Sequence, residues 1–305
     1  MDLRTKCSYI SSKIDTLTRA KQKPVKTKAM KTILVAFDFS KNSLHTLDYA
    51  LFYANWLKTG IHLVWVDNTN TPEHVMNIEQ TLRIETKKYF DEIVEKYGPK
   101  LRHGKLEIHL RKGKVYSEVA MLARQIEASV IFAGTHGVSG YERYWIGSNA
   151  YRIVTSAPCP VITVRSDYEF SGKLKRILVP IDSSAESRQK LPFTANLAQA
   201  FGAELHLLVL YNSTLRVIRN RMKSSADEAE KCLKERKLKY KLKEVETEKL
   251  VPAILSYSDE IQADLIAIMT EQTATAGSMF LGPFAQQLVN NALIPVVSVH
   301  ATIQN

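Results

Sequence analysis

The sequence predicts an α/β protein of two similar domains, each built on a doubly wound, mostly parallel sheet of five strands flanked by helices. Three observations support this prediction. A long stretch is repeated within the chain, and short runs rich in valine and isoleucine alternate with helical patterns. The length of 305 residues is sufficient for two domains of ordinary size.

The repeat is visible at both ends of each copy. TILVAFDFSKNSLHTLDYALFYANWLKTGIHLVWV, from Thr32, aligns without a gap with RILVPIDSSAESRQKLPFTANLAQAFGAELHLLVL, from Arg176, at an offset of 144 residues. GSNAYRIVTSAPCPVITV, from Gly147, aligns with GPFAQQLVNNALIPVVSV, from Gly282, at an offset of 135. We therefore expect a basic extension over residues 1–30, a first copy over 31–165, a linker over 166–172 and a second copy over 173–301.

Within the first copy, continuous apolar runs predict strands that are buried on both faces of a parallel sheet. The predicted strands are 32–37, 61–66, 106–110, 130–133 and 161–164, and the predicted helices lie near 42–58, 73–97, 115–127 and 148–156. The third strand alternates apolar and polar residues instead. This pattern predicts a half-exposed strand at an edge of the sheet.

Composition excludes several classes of protein. No apolar run reaches the roughly 20 residues that a membrane-spanning helix needs. The N-terminus lacks the apolar core of a secretory signal. The three cysteines, Cys7, Cys159 and Cys232, form neither a CxxC motif nor a metal-binding spacing. We therefore expect a cytoplasmic protein without a membrane partner.

The positive charge is concentrated at the N-terminus. Of the formal net charge of +11, residues 1–30 contribute +6, from eight Lys/Arg and two Asp. Such a tail could contact nucleic acid or an anionic membrane, form a solvated extension, or precede a start at Met30. Apart from Tyr9, no aromatic residue accompanies the basic ones, which argues against a nucleic-acid surface.

A glycine-rich stretch follows the fourth predicted strand. AGTHGVSGYERYWIGSNA, residues 133–150, holds four of the twelve glycines, and Gly147 and Ser148 open a predicted helix. Main-chain N–H groups at a helix start attract anions, and glycines allow a phosphate to approach the main chain. Gly134 and Gly137 could instead serve only the geometry of the turn.

Ligand sites in doubly wound sheets lie beyond the carboxyl ends of the strands. Besides the glycine-rich stretch, this edge should collect Asp38 after the first strand and Val66 at the end of the second. Asp38 could also cap the following helix, because Asp and Ser are good capping residues.

These residues together resemble the universal stress protein family. The resemblance is carried by G-x2-G-x9-G-S after the fourth strand, an Asp closing the first strand and the ending PCPVITV, and it extends over both copies. It implies a Rossmann-like fold of the adenine nucleotide alpha hydrolase type, with ATP in the first copy and Mg²⁺ as its counter-ion. By the same resemblance, Asp38 and Val66 would hold adenosine, Ala133 and Gly134 would line the turn beneath it, and Gly137, Gly147, Ser148 and Asn149 would hold the phosphates.

The second copy departs from this pattern. At the positions of the first two glycines and the serine it carries Met269, Gln272 and Pro283. The first two would place side chains where phosphate needs main chain, and proline has no N–H to donate. We expect the second copy to keep the fold and to have lost nucleotide binding; a different ligand there remains an alternative.

The resemblance implies a nucleotide-dependent regulatory module of a stress response. The two domains would pair within one chain through their last strands, 161–164 and 296–299, and a homodimer is also compatible with it. A slow ATPase or phosphate-transfer enzyme and a non-binding dimerisation scaffold are the alternatives. The motif offers mostly backbone donors, which hold phosphate better than they cleave it.

No histidine is assigned to catalysis or to a metal. His136 lies within the glycine-rich stretch but has no evident catalytic partner, and His62 and His206 are predicted to be core residues of apolar strands. No cluster shows metal-site spacing along the sequence. The basic segment 215–241 has helical apolar spacing, so we expect an amphipathic helix there rather than a nucleic-acid surface.

Overall fold

The computed structural model describes residues 30–68, 76–135, 146–184, 187–270 and 281–300. Strands and helices alternate along the first copy, as predicted. Its strands are β1 (Ile33–Ala36), β2 (Ile61–Asp67), β3 (Leu106–Lys112), β4 (Val130–Gly134) and β5 (Val161–Val164). Its helices are α1 (Lys41–Leu57), α2 (Met76–Tyr97), α3 (Val115–Gln125) and α4 (Ser148–Ser156), with a short 3₁₀ helix at Gly98–Lys100.

The second copy repeats this alternation. Its strands are β6 (Arg176–Ile181), β7 (Glu204–Tyr211), β8 (Tyr240–Glu246), β9 (Leu265–Thr270) and β10 (Val296–His300). Its helices are α5 (Leu191–Phe201), α6 (Arg216–Glu235), α7 (Leu250–Glu260) and α8 (Pro283–Asn291). Helix α6 occupies most of the basic segment and buries Met222, Ala226, Ala229 and Leu233, so the amphipathic interpretation is confirmed.

All ten strands form one sheet in the order β3-β2-β1-β4-β5-β10-β9-β6-β7-β8. Within each copy the described strand pairs are parallel. The direction of winding reverses between β1 and β4 in the first copy and between β6 and β9 in the second. These are the topological switch points at which doubly wound sheets bind ligands.

An antiparallel pair joins the two halves of the sheet. Val161 of β5 lies opposite Ser298 of β10, and Thr163 lies opposite Val296. The predicted pairing of the last strands is therefore confirmed. Strands β3 and β8 form the outer edges, and both alternate between half-buried and exposed residues, as the sequence predicted for the third strand.

Helices cover both faces of the sheet. Helices α1, α2, α5 and α6 pack on one face, and α3, α4, α7 and α8 pack on the other, so that two apolar layers run across both copies. Within the described ranges, no helix combines the length and the apolar character needed to cross a lipid bilayer.

An aromatic cluster connects the copies on the first of these faces. Trp56 of α1 stacks on Phe201 of α5 with a centroid distance of 5.4 Å and an interplanar angle of 12°. The Tyr53 ring lies 4.9 Å from the same Phe201 ring, and the Trp56 indole N–H donates to the carbonyl oxygen of Ala200. The copies therefore share side-chain packing as well as a sheet.

Candidate functional site

The carboxyl ends of β1, β2 and β4 meet at one edge of the first copy's sheet. Strand β1 pairs with β2 on one side and with β4 on the other. This arrangement brings the neighbourhoods of Asp38, Val66 and Gly134 to the same edge, at the switch point of the sheet. Gly137 and His136 lie outside the described residues.

Asp38 organises the turn that leads from β1 into α1. Its Oδ1 accepts the N–H of Ser40 at 3.0 Å, and the Ser40 hydroxyl oxygen accepts the N–H of Ser43 at 3.1 Å as the helix N-cap. Phe39, between Asp38 and Ser40, has a φ of 63°, an uncommon value for a residue with a side chain. Asp38 therefore has a structural role in shaping this turn.

Val66 points its side chain into the core and its main chain toward the open edge. The side chain is buried in the apolar layer under α3 and α4. On the β1 side, the carbonyl of Val64 accepts the N–H of Phe37, and on the β3 side the carbonyl of Asp67 accepts the N–H of Gly113. Because main-chain groups alternate sides along a strand, those of Val66 point past the end of β1. A ligand there would meet peptide groups of Val66.

Gly134 is required by the close approach of α1 to β4. A Cβ atom at this position would lie 2.6 Å from Nδ2 of the buried Asn42 and 3.3 Å from Oγ1 of Thr46. Any side chain at this position would force the buried Asn42 side chain to shift. This packing constraint explains Gly134 without a ligand. Ala133, beside it in β4, is fully buried against α4.

The start of α4 is exposed and lacks a side-chain cap. Gly147 is the N-cap residue, with φ −59° and ψ 149°, and its own N–H donates to the carbonyl of Thr135 at 2.7 Å. No side chain in the described structure caps the helix, and its first turn contains no acidic residue. Ser148 and Asn149 are solvent-exposed. Their N–H groups are the donors that a helix start offers to an anion.

Each copy contacts the segment that precedes the last helix of the other copy, α4 or α8. Oδ1 of Asn290, in α8, accepts the N–H of Ile146 at 2.8 Å. The N–H of Leu281, which corresponds to Ile146, donates to the hydroxyl oxygen of Tyr151 in α4 at 3.2 Å. Each copy's last helix therefore holds the peptide that lies just before the other copy's N-cap glycine.

The same edge of the second copy carries different groups. Pro283 occupies the first position of α8, and Met269 has a nearly buried side chain where the first copy has Gly134. Gln272 lies outside the described residues. Lys190 replaces Thr46, and its buried ammonium donates to the carbonyl oxygen of Ser187 at 2.7 Å. Burial lowers the pKa of Lys190 to about 8, although the charge of nearby Asp182 acts to raise it.

The turn after β6 nevertheless keeps the geometry of its counterpart. Oδ1 of Asp182 accepts the N–H of Ser184 at 2.9 Å, as Asp38 does in the first copy, and it also accepts the Ser184 hydroxyl. The conserved geometry of this Asp in both copies fits its structural role. Asp182 alone therefore does not distinguish a binding copy from a non-binding one.

An open groove of about 520 Å³ lies away from this edge, between the linker and the second copy. Oδ2 of Asp264 accepts the N–H groups of Lys175 and Arg176 there, at 2.7 and 2.8 Å. These residues precede or open β6 and β9, so the groove lies at the amino ends of the strands. The Asp264 carboxylate thus holds the start of β6, and the groove is separate from the candidate site.

A family comparison agrees with the repeat and the sheet order. The model of the universal stress protein family matches residues 30–165 and again residues 173–300. The chain belongs to the universal stress protein family. Its members occur with one copy of the fold as well as two, since a universal stress protein of Staphylococcus aureus strain USA300 is 27% identical over 141 residues. That match covers 45% of this chain and 85% of the relative.

Solved structures support the tandem universal stress protein fold. A universal stress protein from Archaeoglobus fulgidus superposes with a TM-score of 0.73 at 18% identity, covering 90% of this chain and 99% of its own. A universal stress protein from Pseudomonas aeruginosa strain UCBPP-PA14 gives 0.61 at 15% identity, covering 89% and 94%. At such identities the likeness concerns the fold alone.

Sequence reasoning missed three features of this universal stress protein. The contact of Asn290 with Ile146 joins residues from different copies, and no motif marks it. The buried Lys190 stands in an otherwise ordinary helical pattern. His62, predicted to be a core residue, is only half-buried and contacts His109 on the neighbouring strand, because the register of β2 and β3 brings them together.

Replacing Gly134 with alanine tests the packing role of this glycine. We expect Gly134→Ala to lower the free energy of unfolding by about 1–3 kcal/mol, because the added methyl group overpacks a site already in contact with Asn42. Chemical denaturation measures the change. In an Asn42→Ala background, which creates space, the penalty should be smaller. An equal penalty in both backgrounds would contradict the steric explanation.

Replacing Lys190 with methionine tests its depressed pKa. The folded-state pKa is about 8 and the ordinary value is 10.5, so between these values the unfolded chain binds more protons than the folded one. The contribution of Lys190 to the free energy of unfolding therefore rises with pH between these two values. Relative to Lys190→Met, the wild-type protein should gain about 2 kcal/mol of unfolding free energy between pH 7 and pH 9.5. Denaturation at several pH values measures this, with exposed Lys231→Met as control. A pH-independent difference would mean that Lys190 is not perturbed.

Proposed function

We propose that this universal stress protein binds ATP in its first copy only and acts as a nucleotide-dependent regulatory module. Some members of the family bind ATP. The observation that carries the proposal is the exposed start of α4 at the switch-point edge of the sheet, which no side chain of the described residues caps. The proposal takes residues 31–165 as the binding domain and 173–301 as a domain without nucleotide.

The phosphates are assigned to the glycine-rich turn and the start of α4. The N–H groups of Ser148 and Asn149 point out of the first helical turn, and the Ser148 hydroxyl adds another donor. The helix start carries about half a positive charge, and no acidic side chain in the first turn opposes an anion. Gly147 contributes by ordering the turn through its bond to Thr135, and Gly137 by its lack of a side chain.

The adenosine is assigned to the ends of β1 and β2. The peptide groups of Val66 face the space past β1 and can form hydrogen bonds with the edge of a base. The carboxylate of Asp38 faces the same edge and can accept from ribose hydroxyls while Oδ1 holds the turn. Ala133 and Gly134 would form the floor. These groups fit a nucleoside, and Mg²⁺ would accompany the phosphates as a counter-ion.

The second copy gives a physical reason for binding in one copy only. Pro283 removes one of the two exposed N–H donors at the helix start. The side chains of Met269 and Lys190 are buried at positions where the first copy has glycine and threonine. A buried lysine that donates to the Ser187 carbonyl is committed to the protein itself rather than to a ligand.

Binding rather than hydrolysis is the activity that these groups favour. Main-chain donors neutralise phosphate charge, but an efficient hydrolase also positions a water molecule and holds a metal with side chains. The proposed regulatory role is that nucleotide in the first copy alters a surface that another molecule recognises.

Placing proline at Ser148, where the second copy has Pro283, tests the proposed phosphate site. Proline is compatible with the first position of a helix, so Ser148→Pro should fold while removing one N–H and one hydroxyl donor. Because hydrogen bonds to charged groups contribute about 1.5–3 kcal/mol, ATP affinity should fall at least about tenfold in calorimetry with the full-length protein. The reciprocal variant Pro283→Ser is the matched control and should bind like wild type. Undiminished ATP binding by Ser148→Pro would exclude this helix start, and no binding by wild type would favour the scaffold alternative.

The contact between copies provides a second test. Asn290→Ala leaves the Ile146 N–H without its side-chain acceptor, next to the N-cap of α4. We expect ATP affinity to fall about fivefold, since a hydrogen bond contributes about 1 kcal/mol. Tyr151→Phe removes the corresponding hydrogen bond to the N–H of Leu281 in the second copy. This variant should leave the ATP affinity unchanged. Equal effects of both variants on ATP affinity would contradict the one-copy proposal.

A further inference from the structure

Three metal-ligating side chains converge on the face of the sheet covered by α3. Nδ1 of His62 lies 2.9 Å from Nε2 of His109 and 3.6 Å from Oε2 of Glu107. One ligand atom from each of the three residues lies within 4.8 Å of the others. The sequence gives no sign of this cluster, because 45 residues separate the first histidine from the glutamate.

Strand register produces the cluster. His62 of β2 lies directly opposite Glu107 of β3, and His109 lies opposite Val64. Residues two apart on a strand share a face, and cross-strand neighbours are close enough for their side chains to meet. The cluster is therefore fixed by the backbone of the two strands rather than by a loop.

The cluster is distinct from the proposed nucleotide site. His62 is the second residue of β2, whereas Val66 is near the carboxyl end of that strand. Four residues of extended chain separate the two positions by about 13 Å. The nucleotide edge and the histidine cluster can therefore be tested independently.

We propose that His62, Glu107 and His109 form a binding site for a divalent transition-metal ion, with Zn²⁺ as the best match. Two imidazoles and a carboxylate are typical zinc ligands, at about 2.0–2.2 Å from the metal. Tetrahedral coordination places such ligand atoms about 3.3 Å apart. The two separations from Nδ1 of His62, 2.9 and 3.6 Å, need to change by only a few tenths of an ångström, and the third, between His109 and Glu107, is at most 4.8 Å.

The exposure of the three side chains is compatible with metal entry. The His62 side chain is 20% exposed and that of Glu107 is 55% exposed. With three protein ligands, the fourth position would be open to water.

The second copy shows what this position becomes without metal ligands. His206 corresponds to His62, but the residues on β8 in place of Glu107 and His109 are Lys241 and Lys243. His206 instead has Oε1 of Glu204 at 2.8 Å from its Nε2. Two lysines would repel a cation, and Lys241 forms an ion pair with the same Glu204 at 3.2 Å. The second copy therefore has an ion pair where the first has a set of possible ligands.

A bound metal ion would link the edge strand β3 to its neighbour β2. Strand β3 ends the ten-stranded sheet, and among the strands that the structure describes it pairs with β2 alone. An ion that binds the folded but not the unfolded chain stabilises the fold in proportion to the logarithm of its concentration over Kd. Metal should therefore raise the Tm of the protein.

Titration of chelator-treated, full-length protein with Zn²⁺ in the absence of nucleotide tests the proposal. We expect Zn²⁺ bound at one site, and a visible absorption band of four-coordinate Co²⁺ when Co²⁺ replaces it. Glu107→Lys, which imports the lysine of the second copy at an exposed position, should weaken binding at least tenfold and abolish the increase in Tm. His103→Gln, at an exposed histidine outside the cluster, should bind like wild type.

The double variant His62→Gln/His109→Gln distinguishes this site from other histidines of the chain. Loss of binding with an unchanged far-ultraviolet circular dichroism spectrum supports the proposal. Binding of Zn²⁺ with wild-type affinity by the double variant, or by Glu107→Lys, overturns it. Absence of Zn²⁺ binding by the wild-type protein overturns it as well and leaves a hydrogen-bonded pair of imidazoles.

Discussion

The antiparallel pairing of β5 with β10 is the interaction on which the molecule's architecture depends. Without it, each five-stranded sheet would expose the main-chain groups and apolar side chains of its last strand, which is buried here along its whole length. The pairing also sets the two copies in opposite directions, so α4 and α8 lie close enough for side chains to cross between them. The remaining edges, β3 and β8, are the strands that alternate polar and apolar residues, as an exposed edge requires.

Comparing the two copies distinguishes residues that the fold requires from residues that a ligand would require. Both copies keep the turn in which Asp38 or Asp182 accepts a serine N–H, and both keep a glycine N-cap before the last helix. These features recur where the proposed nucleotide chemistry does not, so they belong to the fold. Among the features that differ are the first residue of the last helix, Ser148 or Pro283, and the position of Gly134, which Met269 occupies in the second copy.

The sequence was sufficient to predict the strand and helix order and the edge strand, because these follow from local periodicity and from the repeat. The joining of the last strands was implied only by the family resemblance. The sequence was insufficient where chemistry depends on register. Which residue of β3 faces His62 is set by a pairing that no local pattern encodes. The contact between Asn290 and Ile146 likewise depends on how two helices approach across the joined sheet. The sequence leaves Gly134 between a place beneath a ligand and a role in the turn, and it does not indicate the packing against Asn42 and Thr46, which depends on how closely α1 approaches β4.

A site built from main-chain groups can be lost without loss of the fold, and the two copies illustrate why. A helix start offers N–H groups whatever side chains follow, so its affinity for an anion depends on what is absent: a cap, an acid or a proline. Proline at the first helical position removes a donor but suits the backbone angles there, so Pro283 carries little penalty for α8. A second copy without nucleotide, as proposed, can therefore keep helix α8, which places Asn290 against the first copy. Under the proposal, Asn290 of the second domain therefore supports the first copy's binding edge through its hydrogen bond to Ile146.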